Sequence, residues 1–232
     1  MITLRKASNR GYAHHGWLES WHSFSFADYY DPANIRFASL RVINEDIVQP
    51  GTGFGMHGHR DMEILTYVLS GKLRHSDSMG HGGDIRYGEV QLMSAGTGVQ
   101  HSEMNPSVDE AVHLLQIWIM PASQGLTPGY QQKNFALQDK RGRWYLLASP
   151  DASQGSLVIH QDVRIYAARL ENAGVLDYSL ASGRRGYLHL ARGSLHANGY
   201  ALSAGDAVTY VDAGRVELSA AQDAEVLLFD LA

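Results

Sequence analysis

The stretch His57-Gly58-His59-Arg60-Asp61-Met62-Glu63-Ile64-Leu65-Thr66-Tyr67-Val68-Leu69-Ser70-Gly71 runs from two imidazoles into a β-favouring segment and stops at a glycine. Its second half is rich in β-branched and aromatic residues, the composition of a strand. On a strand, residues i and i+2 point to the same face, so His57 and His59 share a direction. A second patch, His101-Ser102-Glu103, follows the turn Ala95-Gly96-Thr97-Gly98 and repeats that spacing. A lone His-x-His is a weak signal. Two such patches, each after a glycine-rich turn, offer three imidazoles and a carboxylate, a set suited to a catalytic divalent transition metal. His57, His59, Asp61 and Glu63 have one parity, so a single strand running on to Leu69 would aim Glu63 inward as well. A closed structural zinc site is the competing reading, but such sites usually recruit cysteine, and the chain has none.

Working outward, strand-like runs dominate the rest of the 232 residues. They are Ala38 to Asn44, Glu89 to Met93, His113 to Met120, Leu146 to Leu147, Leu157 to Ile159, Arg164 to Leu170, Gly186 to Leu190, Ala207 to Val211 and Val226 to Leu231. Glycine, Asp or Ser punctuates most of them, and no segment carries a long amphipathic helical period. Many short strands between turns predict an all-β sandwich or barrel. The net charge of −5 gives no electrostatic case for nucleic acid. No apolar run has the length of a membrane helix, and the basic start Met1-Ile2-Thr3-Leu4-Arg5-Lys6 is not followed by a signal-like apolar stretch. Absence of cysteine fits a reducing compartment, so a cytoplasmic protein is expected.

The two halves resemble each other. Val68-Leu69-Ser70-Gly71-Lys72-Leu73 matches Leu190-Ala191-Arg192-Gly193-Ser194-Leu195 in pattern, and Gly88-Glu89-Val90 leading to Ala95-Gly96 matches Gly205-Asp206-Ala207 leading to Ala213-Gly214. Duplication of a β unit explains this, as does chance similarity between glycine-rich segments. Ungapped counting aligns the four candidate ligands with Ser179, Ala181, Ser219 and Ala221, none a good ligand, so the second half would carry no metal. Pro121 to Gly142, polar and turn-rich, is the expected linker region.

The other histidines and aromatics carry less. His14 and His15 are adjacent and would face opposite ways. His75 and His81 are expected on a solvated loop, and His113 and His160 as hydrogen-bonded core residues. Trp17, Trp21, Phe24, Phe26, Tyr29 and Tyr30 are expected in packing, with His22 structural or supporting the site.

Taken with His75-Ser76-Asp77-Ser78-Met79-Gly80, the run Gly88 to Glu103 and the upstream segment Gly16 to Pro32, the opening stretch resembles the pirin family of the cupin superfamily. The likeness is to bacterial pirin-like quercetin dioxygenases. It is dense from about residue 3 to 130 and thinner beyond. It implies a bicupin of two jelly-roll β-barrels facing each other: an N-terminal metal-binding domain, 1–130, and a C-terminal domain, 131–232, without ligands. It implies His57, His59, His101 and Glu103 as ligands, with Glu63 outside the set although many cupins place their carboxylate there. Gly58 and Asp61 stand where family members often carry proline and glycine. The cofactor implied is one divalent metal, Fe(II), with Mn, Co, Ni, Cu or Zn as alternatives. The activity implied is dioxygen-dependent ring cleavage of a flavonol or related enolic aromatic, releasing carbon monoxide, with Glu103 as the base. Relatives that regulate by binding protein partners give the alternative: a non-catalytic, redox-responsive metal protein.

Overall fold

The β-rich runs fold as strands in the computed structural model, which describes residues 1–136, 141–212 and 214–232. In chain order the first are β1 (Ile2–Arg5), β2 (Gly11–His14), β3 (Leu18–His22), β4 (Leu40–Val48), β5 (Gly53–His59), β6 (Glu63–Ser70) and β7 (Lys72–Asp77). Next come β8 (Gly82–Arg86), β9 (Glu89–Ser94), β10 (Val99–Met104), β11 (Val112–Ile119), β12 (Gly129–Asn134), β13 (Tyr145–Ser149) and β14 (Leu157–Val158). The last are β15 (Val163–Leu170), β16 (Leu176–Ser179), β17 (Arg185–Ala197), β18 (Tyr200–Ser203), β19 (Ala207–Val211) and β20 (Arg215–Leu231). Among the described residues no helix is long and apolar enough to cross a membrane. Part of the expected linker, residues 137–140, and Ala213 of the internal repeat lie outside the described residues.

Contacts divide the chain into two units. One comprises Arg10–Asn134 with Ile159–Gln161, and the other Met1–Asn9 with Phe135–Val158 and Asp162–Ala232. The first unit stacks a seven-stranded sheet, ordered β12-β9-β6-β11-β4-β3-β2, on a four-stranded sheet, ordered β5-β10-β7-β8. This is a jelly-roll sandwich rather than one closed barrel. Its core pairs Leu73 and Ile85 of the small sheet with Val48, Val68 and Leu114 of the large one.

The second unit is one connected sheet, β1-β19-β17-β20-β15-β13-β14, with β16 on β20 and β18 on β17. The seventeen-residue β20 and thirteen-residue β17 are its spine. β17 is irregular near Arg192, Ser194 and His196, which lets the sheet bend over a core that includes Leu188, Leu190, Val216 and Leu218.

The internal repeat has a backbone counterpart. Gly71, between β6 and β7, has φ 74°, and Gly193, inside β17, has φ 72°. The left-handed region is cheap only for glycine. A Cβ at Gly193 would meet Gln222 O at 2.3 Å, and one at Gly71 would meet Ala111 O at 2.9 Å. Gly193→Ala is therefore expected to cost about 3 kcal/mol and Gly71→Ala about 2 kcal/mol. Gly80→Ala, at φ 89° with nothing within 4 Å, is expected to cost about 1 kcal/mol. Urea unfolding of the three variants measures this order, and equal losses at all three would contradict the close-approach argument.

Candidate metal centre

β5 and β10 are antiparallel neighbours, and His101 lies opposite His57. The register then slips: Glu103 lies opposite Phe54, so β5 carries an extra residue in a bulge at the site. Gly53 makes the approach possible, since a Cβ there would meet Glu103 O at 2.3 Å.

One nitrogen each from His57, His59 and His101 lies within 4.8 Å of the others. His57 Nε2 and His101 Nε2 are 3.1 Å apart. Two nitrogens bound at about 2.1 Å and right angles to one ion are about 3 Å apart. His57 Nδ1 donates to Gly55 O at 2.7 Å, which turns the Nε2 lone pair inward. Burial, then the neighbouring His57, lowers the pKa of His59 to about 4 and that of His101 to about 3. Both rings are therefore neutral near pH 7, the form that binds metals. This donor set fits a divalent transition metal.

Glu103 lies on the same strand but makes a different set of contacts. Gln116 Nε2 donates to its two oxygens at 2.6 and 2.8 Å, and Thr66 Oγ1 donates to Oε1 at 3.2 Å. Both donors belong to the large sheet, so this carboxylate ties the two sheets together. Its grouping within 4.8 Å is with His101 and His75. Burial raises its pKa to about 7, against the lowering effect of the Gln116 and Thr66 hydrogen bonds.

Glu63 is not in the cluster. The continuous strand expected from His57 to Leu69 is broken at Arg60–Met62, where Asp61 adopts φ 51°, and β6 continues in the other sheet. Glu63 is buried there, accepting from Ser94 Oγ at 3.0 Å and from the backbone N of His160 at 3.2 Å. Asp61 takes the turn conformation that glycine also favours, and its Oδ1 accepts from Gly125 N at 2.6 Å.

His75 corrects the expectation of a solvated loop. It is fully buried on β7 opposite Glu103, with Nε2 3.0 Å from Asp77 Oδ2. Its parity with buried Leu73 and Asp77 was the missed signal. His81 is exposed and stacks on Tyr130 at 5.1 Å. Neither His113 nor His160 lies in the core as expected: His113 is partly exposed and His160 exposed, each facing a carboxylate, Glu45 and Glu63.

The cluster opens into a cavity of about 800 Å³ within the first unit. Trp17, Phe26, Tyr29, Phe54, Ile64 and Trp118 line it. Trp118 meets His59 edge-on at 4.9 Å and Phe26 at 5.4 Å. Several aromatics expected in packing thus form cavity walls, Phe24 is buried core, and Tyr30 is exposed. Among the described residues the second unit has no comparable cluster of ligands. Its β16–β20 pair places Leu176 opposite Leu218 and Tyr178 opposite Val216, and these pack into or against the core.

Two family models match: one described as Pirin over residues 3–119, and one described as the quercetinase C-terminal cupin domain over residues 146–231. The chain is 50% identical over 232 residues to a quercetin 2,3-dioxygenase of Escherichia coli K12, covering 100% of this chain and 99% of that protein. It is 41% identical to a pirin-like protein of Caulobacter vibrioides, covering 100% of both. The crystal structure of the bacterial pirin YhhW from Escherichia coli, in complex with nickel(II), superposes with a TM-score of 0.95 at 49% identity, covering 100% of this chain and 99% of that one.

Beside the cluster, Asp46 is buried and accepts from Ser20 Oγ at 2.5 Å. Burial raises its pKa to about 7, the Ser20 bond opposing. Between about pH 4 and pH 7 the folded protein holds a proton on Asp46 that the unfolded chain has released. This carboxyl therefore makes stability fall as pH rises across that window. Asp46→Asn is expected to exceed the wild type by on the order of 2 kcal/mol at about pH 8. The difference is expected to shrink toward about pH 4 in urea titrations, and a pH-independent difference would contradict this account.

Proposed function

The chain belongs to the pirin family, and on that premise we propose that it is a metal-dependent dioxygenase cleaving the ring of a flavonol such as quercetin or a related enolic aromatic. The observation that carries this reading is the group of three imidazoles at the head of an aromatic-walled cavity, with one buried carboxylate, Glu103, on the same strand as His101. His57, His59 and His101 hold the ion, and Glu103 completes the set. Imidazole and carboxylate donors accept iron(II), the ion proposed here, and equally nickel(II). When bound, the metal supplies Lewis acidity and brings an oxygen-bearing substrate together with dioxygen.

The chain's own residues do the rest. Trp118, Phe26 and Phe54 offer flat apolar surfaces for a planar ring system. Glu103 accepts the proton of the substrate's enolic hydroxyl at a carboxylate oxygen. Gln116 and Thr66 hold the carboxylate in place while it does so. The cavity's apolar walls keep water from the deprotonated substrate.

Metal-loaded wild type is expected to consume flavonol and dioxygen together, and no loss of flavonol absorbance under oxygen would end this reading. Glu103→Ala is expected to slow turnover by about 100-fold or more, and unimpaired turnover would remove Glu103 as the base. The double variant His57→Ala/His101→Ala is expected to retain less than about a tenth of the metal by elemental analysis, and full metal content would dismiss the ligand assignment.

A further inference from the structure

The inward row shared by β7 and β10 is polar on both strands. Register places His101 opposite Asp77 and Glu103 opposite His75. One step along β7 the row turns apolar, with Leu73 opposite Ile85 of β8, both buried. The proposed ligands His101 and Glu103 account for half of the polar row. His75 and Asp77 are the other half. They stand outside the proposed ligand set, yet neither side chain has any exposure.

A buried carboxylate is costly unless donors or a counter-charge supply it. Asp77 Oδ1 accepts from the backbone N of Met79 at 2.9 Å and of His81 at 3.0 Å. Its Oδ2 lies 3.0 Å from His75 Nε2 and 3.5 Å from His81 Nδ1. Among the described residues no Lys or Arg pairs with it. These contacts hold the carboxylate in place and leave its charge without a permanent cation. Apolar side chains at both positions, like Leu73 beside them, would fill the space without that cost.

The metal centre supplies the missing partner. An ion held through imidazole lone pairs and one carboxylate keeps one of its two positive charges. His75 stands at the contact between Asp77 and that centre. Its ring meets the His101 ring at 5.4 Å between centroids and 55°. One donor atom each of His75, His101 and Glu103 lies within 4.8 Å of the others. Tyr130 covers His75 at 4.9 Å and stacks on the exposed His81 at 5.1 Å. The His101 ring is thus bounded by His57 and His59, at 4.5 and 4.8 Å, and by His75. A ring fixed by a carboxylate can in turn fix a ligand ring packed against it.

We propose that Asp77 and His75 form a buried brace for the metal centre. The Asp77 carboxylate fixes the His75 ring, that ring fixes His101, and the charge of Asp77 offsets the charge left on the ion. Both are positioning residues, and their effect is on how tightly and in what geometry the metal is held. The brace rests on the ligand assignment of His101 and Glu103 and is independent of the flavonol.

The test titrates the nickel-loaded full chain with a competing chelator. Asp77→Asn keeps an acceptor for His75 and removes the charge, whereas His75→Phe keeps a packed ring and removes the hydrogen bond. Each is expected to weaken nickel(II) binding by about 10- to 100-fold, with circular dichroism unchanged. The visible absorption of cobalt(II)-loaded His75→Phe is expected to shift, which a purely structural role would not cause. His81→Ala removes the exposed ring from the same carboxylate and is expected to stay within about threefold of the wild type. Wild-type affinity in both Asp77→Asn and His75→Phe overturns the brace, as does an equal loss in His81→Ala. If Asp77→Asn loses its fold, His75→Gln is compared with His75→Phe. Gln returns a donor to Asp77 and is expected to bind nickel at least about fivefold more tightly than Phe does, and equal affinities overturn the brace. A wild type that holds no nickel ends the ligand assignment and the brace with it. The brace fails alone when the wild type binds nickel and the variants match it.

Discussion

The structure of the first unit turns on one buried carboxylate. Glu103 leaves the small sheet and is held by Gln116 and Thr66 of the large sheet. Taking a carboxylate out of water is costly unless its oxygens are well supplied with donors. Here two residues supply three contacts. That bond set fixes the gap between the sheets at the point where the imidazoles converge, so a cavity wall and a chemical group are positioned by the same contacts. Gly53 serves the same end by letting β5 press against the backbone of Glu103.

The two units differ in what lines their interiors. The paired glycines, Gly71 and Gly193, sit at matching bends with nearly equal φ. In the first unit β5 and β10 bring His57 opposite His101, and in the second the β16–β20 pair brings Leu176 opposite Leu218 and Tyr178 opposite Val216. Apolar side chains there join the second core. Among the described residues, the histidine cluster and the cavity of about 800 Å³ beside it both belong to the first unit.

Parity explains how much of the site was legible. The i, i+2 spacing in His57-Gly58-His59 and His101-Ser102-Glu103 needs only that each lie on a strand, and both do. The same reasoning failed for Glu63, because it assumed one uninterrupted strand. Asp61 reverses the chain and hands β6 to the other sheet. His75 lies on β7 rather than in the expected loop, and its alternation with Leu73 and Asp77 is present in the sequence. The short, glycine-flanked strand around it lacks the β-branched run that marks the longer strands.

What the sequence determined by itself was local: strand composition, punctuation by glycine, the shared direction of residues two apart, and a donor set free of thiolate. From these followed an all-β chain and the imidazoles His57, His59 and His101. The tertiary structure alone decided which strands became neighbours, since pairing joins residues far apart in the chain. It set Gln116 beneath Glu103, aligned His22 with Asn44, and placed Trp118 edge-on to His59. Those relations depend on register and sheet stacking, which no local pattern of residues encodes.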